Sequence, residues 1–137
     1  MAWTDGKAII GTGSPFPPVL RNGSFVRVDQ TNNSYVFPGI GLAVTAVHAR
    51  KILDAMLMAA ARALADLSPA RGNNNANLLA RVAEAREISV RVALAVAMQA
   101  CKEGLAEPMN AADILQRIQA KVWTPLYRPY RRRNQSP

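Results

Sequence analysis

Lys7 to Thr12 reads KAIIGT, a short apolar run closed by glycines, and Gly13-Ser14-Pro15-Phe16-Pro17-Pro18 stops it. Proline removes backbone donors and restricts the residue before it, so no regular element continues through that stretch. A strand as apolar as Ala8-Ile9-Ile10 expects a parallel neighbour on each side. Nothing downstream in the sequence offers one. The residues after Pro18 read as a small hairpin and then helices with very apolar faces. This mismatch restricts the chain more than its composition does: it fits the end of a larger α/β domain better than a complete one.

The hairpin expectation rests on Arg21-Asn22-Gly23-Ser24 between Val19-Leu20 and Phe25-Val26-Arg27-Val28. Asn-Gly between two β-prone runs is a strong turn signal. Asp29 to Ser34 is polar and is expected to be irregular. Helical character begins at Phe37-Pro38-Gly39, where proline suits a first turn. A helix from about Pro38 to Ala49 is apolar nearly all round and should be buried. The next, Lys51 to Leu67, places Ile52, Met56, Ala60, Ala63, Leu64 and Leu67 at helical spacing. Its polar face offers an Arg62–Asp66 pair four residues apart, and Ser68-Pro69 ends it. Arg71 to Asn75 reads as a connector. A long helix is expected from Arg81 or Glu87 to Lys102, with Gly104 as its stop. A fourth runs from Ala111 to about Val122, capped by Asn110, with Asp113 in its first turn. The fold class is therefore mixed α/β, mostly helical, with one strand, a hairpin and four helices.

The 137 residues suffice for one modest core. Of the formal charge of +8, residues 128–137 supply +4 through Arg128, Arg131, Arg132 and Arg133. Such a tail can attract nucleic acid or acidic surfaces, but no basic helix with interleaved aromatics accompanies it. A solvated terminus, or a strap on another part of a larger protein, is the plainer reading. The single cysteine, Cys101, excludes an internal disulfide and a cysteine-based zinc site; a small buried hydrophobe in a reducing cytoplasm is the expectation. The opening MAWTDGKAII lacks the basic start and long apolar run of a signal peptide. Runs such as Val92 to Met98 are too short to cross a membrane. His48, the one histidine, is expected to pack within a helix.

Several blocks resemble malic enzymes. Trp3-Thr4-Asp5-Gly6-Lys7-Ala8 leads into Gly11-Thr12-Gly13-Ser14-Pro15-Phe16, similar to the strand and T-G-S-P-F turn that end the family's dinucleotide-binding domain. Gln30-Thr31-Asn32-Asn33 through Phe37-Pro38-Gly39 resembles its Q-x-N-N-x-x-x-F-P-G segment. Asp54-Ala55-Met56 with the alanine-rich helix after it, Arg86-Glu87-Ile88-Ser89, and Trp123-Thr124-Pro125-Leu126-Tyr127 come next in order. The resemblance implies the C-terminal piece of a Rossmann-like NAD-binding domain over 1–50, a helical C-terminal segment over 51–122, and a basic tail over 123–137.

That resemblance also implies a chemistry: oxidation of malate by NAD or NADP and decarboxylation to pyruvate and carbon dioxide. Magnesium or manganese, hard ions that favour oxygen ligands, assists it. Malolactic conversion of malate to lactate is a near relative. Asn32 and Asn33 are the substrate-binding candidates, because an amide donates to a carboxylate without adding a titrating charge. One is expected to contact malate and the other to hold the loop, with Asn32 favoured as the ligand; read without the family, both would simply satisfy turn backbone. Gly13 and Ser14 are cofactor-side candidates, since ligands of such sheets bind beyond the strands' carboxyl ends. Gly39-x-Gly41 lacks the rest of a phosphate-loop fingerprint.

Two departures stand out. Asp29 occupies a position where the family usually has glycine, and its carboxylate would repel malate or distort the turn. Leu78-Leu79-Ala80-Arg81 replaces a proline-containing stretch. No catalytic residue and no metal ligand is assigned: Lys7, Lys51, Lys102 and Lys121 match no catalytic lysine motif, and the carboxylates are scattered. The family's tyrosine acid, lysine base, metal carboxylates and glycine-rich loop would lie in an N-terminal portion. The sequence is compatible with three readings: a malic-enzyme fragment inactive alone, a subunit completing a split enzyme, and a small basic nucleic-acid-binding protein.

Overall fold

The computed structural model describes residues 2–6, 8–73 and 76–127. Lys7, Asn74, Asn75 and the arginine tail from Arg128 lie outside the described residues. Its strands are β1 (Ile10–Thr12), β2 (Val19–Arg21), β3 (Ser24–Val26) and β4 (Val28–Gln30). Its helices are α1 (Phe37–Val47), α2 (Asp54–Asp66), α3 (Ala85–Lys102) and α4 (Ala111–Lys121).

β1 does have a partner. It pairs in parallel with β4, Ile10 opposite Val28 and Thr12 opposite Gln30, and the Thr31 amide continues the ladder to the Thr12 carbonyl at 2.7 Å. This corrects both the unpartnered strand and the irregular Asp29–Ser34 segment expected from the sequence. β4 reads Val-Asp-Gln, one apolar residue in three, so it gives no strand pattern. The crossover that a parallel pair needs is usually a helix; here it holds the β2–β3 hairpin. That hairpin is antiparallel with Leu20 opposite Phe25. Asn22 (φ 48°) and Gly23 (φ 78°) both lie in the left-handed region, as the favoured two-residue hairpin turn demands.

The helices share one core, centred on α3. Val92, Ala93, Val96, Ala97 and Ala100 on α3 are fully buried, and the helix packs against α1, α2 and α4. Alanine allows close approach, and Gly39 extends it: a Cβ there would stand 2.7 Å from Val92. Gly39 is thus a packing residue between α1 and α3. Met56 and Ala60 anchor α2, and Ile114 and Ile118, one turn apart, anchor α4. Asn110 caps α4 as expected, accepting from the Asp113 amide at 2.9 Å, and Gly104 adopts φ 66° beyond α3.

Several local expectations need correction. α1 is not buried all round: Phe37, Gly41 and Thr45 are exposed. His48 does not pack; it is exposed and ends α1 with φ 52°. Asp66 pairs with Arg71 rather than with Arg62. Cys101 is only half-buried, its Sγ 3.2 Å from the Glu107 carbonyl. Ile9, Leu20 and Phe25 stand exposed around the strands.

Candidate functional site

Because β1 and β4 run parallel, their carboxyl ends emerge together. Gly13-Ser14 leaves one and Thr31-Asn32-Asn33 leaves the other. The Asn32 amide ties the two: Nδ2 donates to the Gly13 carbonyl at 3.0 Å. Its Oδ1 accepts the Ser34 amide at 2.8 Å, capping the 3₁₀ turn Asn33–Tyr35. Both halves of the Asn32 side chain are therefore engaged in holding the loop. Asn33 is exposed, and among the described residues its side chain has no hydrogen-bond partner.

Gly11 shows why β1 carries glycine. A Cβ there would stand 2.8 Å from Thr31 Cγ2, so the absent side chain lets the Asn32 loop fold over the strand. Gly13 differs: nothing lies within 4 Å of the space a Cβ would fill. Ser14 is exposed, and its carbonyl accepts the Thr12 hydroxyl at 2.8 Å. The two cofactor-side candidates thus stand on open ground beside both asparagines.

Tyr35, to which sequence reasoning gave no role, holds the far side of the loop. It is 2% exposed and donates from its phenol to the Ala80 carbonyl at 2.7 Å. Burial, and then the negative charge of Glu84, push its pKa above the ordinary value of 10.0. An aromatic ring with a polar tip, between Ser34 and Val36 just ahead of α1, was the available signal. Asp29 neither stands open nor breaks the turn. It forms an ion pair with Arg27 and lies in the β4 ladder opposite Gly11.

A groove of about 790 Å³ opens between the loop and the end of α2. Thr31, Asn32 and Asn33 form one wall, and Leu64, Ala65 and Arg71 the other. Asn33 faces it as the wall's unengaged amide, with Arg71 already paired to Asp66.

The matching family model is the malic enzyme NAD binding domain, over residues 1–101. The chain belongs to the malic enzyme family. It is 48% identical over 130 residues to the NAD-dependent malic enzyme of Acinetobacter baylyi, covering 95% of this chain and 23% of that protein. With the NAD-dependent malic enzyme of Pseudomonas savastanoi pv. phaseolicola the identity is 48% over 134 residues, 98% of this chain and 24% of the relative. The crystal structure of Entamoeba histolytica malic enzyme superposes with a TM-score of 0.64 at 35% identity, covering 82% of this chain and 21% of that one. The chain thus spans about a quarter of the length of these relatives, and it corresponds to a portion of a larger enzyme.

The turn at Gly13 and Ser14 is exposed and uncrowded, which leaves room at the strand ends where the ligands of such sheets bind. A metal ion is different. Among the described residues no three histidine, cysteine or carboxylate side chains come together. No helix among the described residues is long and apolar enough to cross a membrane.

Proposed function

We propose that this chain supplies the substrate-contacting loop of an NAD-dependent malic enzyme, which oxidises and decarboxylates malate to pyruvate and carbon dioxide. One observation carries the reading: Asn32 is bound on both sides of its amide while its neighbour Asn33 is left unengaged at the carboxyl ends of a parallel strand pair. That arrangement divides the two amides into a holder and a contact. It favours Asn33 as the ligand, in place of the Asn32 favoured by the sequence, and makes Asn32 the residue that aims it.

The chemistry rests on the residues themselves. A carboxylate needs donors; Nδ2 of Asn33 provides two N–H groups and carries no charge. A hydrogen bond to a charged group contributes about 1.5–3 kcal/mol, enough to orient one end of malate. Hydride acceptance is the part NAD supplies when bound, and the match of residues 1–101 to an NAD binding domain supports that cofactor. A general acid and base must stand within hydrogen-bond reach of the substrate. In this reading they come from the rest of the enzyme, so the chain alone is inactive and acts only joined to, or assembled with, that portion, in the cytoplasm.

The test is NAD reduction with malate and manganese, on the chain alone and mixed with a malic-enzyme portion that lacks this region. Activity in the mixture alone supports the reading. No activity in the mixture, with an intact malic enzyme active in parallel, overturns it.

A further inference from the structure

Asp29 lies on β4 beneath the asparagine loop, 5% exposed. A carboxylate this deeply buried is costly unless paired and hydrogen-bonded. Here it is both. Arg27 Nε stands 2.7 Å from Oδ1, and Arg27 Nη2 donates to Oδ2 at 3.2 Å. Oδ2 also accepts the backbone amide of Leu78 at 3.2 Å. Arg27 reaches further and donates to the Ala76 carbonyl. Beyond the loop, Tyr35 donates to the Ala80 carbonyl.

Three of these ties end on one stretch, the α2–α3 connector: that of Arg27 at residue 76, that of Asp29 at 78 and that of Tyr35 at 80. Ser68 fastens that connector to the end of α2 by donating to the Leu78 carbonyl at 2.6 Å. Asp29 precedes the two asparagines and Tyr35 comes after them, so the connector grips the loop at both ends.

We infer that Arg27 and Asp29 are positioning residues, which with the 76–80 connector form a latch that fixes the Asn32–Asn33 loop and so orients Asn33 toward a substrate carboxylate. The role in substrate orientation rests on the proposed malate function. Neither residue touches the substrate. Their effect passes through β4 and the connector, segments separated by 49 positions at the Asp29–Leu78 bond. Loosening the connector therefore loosens the loop, with the helical core left intact.

Amide hydrogen exchange on the full chain tests the latch without relying on activity. In Asp29→Asn, the Ser34 and Val36 amides should exchange about tenfold faster, the loss expected for one charge-assisted hydrogen bond. The Val92 and Val96 amides of α3 should be unchanged. Unchanged Ser34 exchange, or equal acceleration at Ser34 and Val96, overturns the latch. Should Asp29→Asn fail to fold, Arg27→Lys keeps the charge and removes the fork that reaches Ala76, and the same pattern is expected.

Kinetics of the mixed enzyme test the substrate role. Asp29→Asn should raise the KM for malate about tenfold while the KM for NAD stays unchanged. A loosened loop with an unchanged malate KM overturns that role. An unmodified chain that restores no activity overturns the malate reading and this role with it, while the exchange data still decide the latch.

Discussion

Asn32 donates its side-chain amide to the carbonyl of Gly13 across 3.0 Å, joining the ends of two parallel strands that lie far apart in sequence. The same side chain caps the turn Asn33–Tyr35. Asn32→Ala removes both bonds, and a lost cap of this kind costs about 1 kcal/mol. Urea unfolding should show a lower midpoint with an unchanged slope. Asn33→Ala should leave the midpoint in place, because an exposed side chain without structural bonds contributes little. Equal losses in the two variants would contradict the division between holder and contact.

Tyr35→Phe keeps the buried ring and leaves the Ala80 carbonyl without its donor. A cost of about 1–3 kcal/mol is expected. The alkaline limb is the sharper readout. The folded pKa of Tyr35 is raised by burial and by Glu84, so above pH 10 the unfolded chain gives up this proton before the folded one does. Stability is then full below pH 10 and is lost as pH rises through the folded value. Tyr35→Phe should flatten that decline in melts taken from pH 8 to pH 11. An identical slope in both proteins would remove Tyr35 as its source.

Gly39→Ala tests the closest helix contact. A Cβ 2.7 Å from Val92 forces α1 and α3 apart, and overpacking of this kind costs about 1–3 kcal/mol. Gly41→Ala, two residues on, meets nothing within 4 Å and should be neutral or slightly stabilising. Thermal melts of the two variants separate a packing role from a loop role for this glycine pair. A destabilised Gly41→Ala beside a neutral Gly39→Ala would reverse the assignment.

The exposed apolar groups around the strands carry a prediction about assembly. Leu20 and Phe25 face each other across the hairpin, and both are exposed. In isolation such a surface promotes self-association. The double substitution Leu20→Lys with Phe25→Lys should shift the chain toward monomer in sedimentation while leaving the melting temperature close to native. A native chain already monodisperse at high concentration would sink this account of the surface.

The helices and the hairpin were legible because each is written locally. Asn22-Gly23 dictates its turn, Asn110 announces α4, and the spacing from Met56 to Ala60 announces the buried face of α2. The β1–β4 pairing was not legible, because β4 depends on a buried Asp29 whose partners are Arg27 beside it and Leu78 much further along. A carboxylate in a short polar stretch signals a loop until its cation and its amide donor are seen. The candidate site was half legible. The asparagine pair could be named from motif resemblance, but which amide is engaged depends on Gly13 and Ser34, and no spacing rule encodes that. His48 misled for a related reason: its left-handed φ places it past the end of α1, where periodicity had it inside.

The most direct measurement is a malate titration of NAD reduction in the mixed enzyme, with the unmodified chain and with Asn33→Ala. The unmodified chain should restore activity. Asn33→Ala should raise the KM for malate about tenfold or more, the loss of one hydrogen bond to a carboxylate, with the KM for NAD unchanged. Indistinguishable malate titrations for the two proteins, or no restored activity with the unmodified chain, would contradict a malate contact at Asn33.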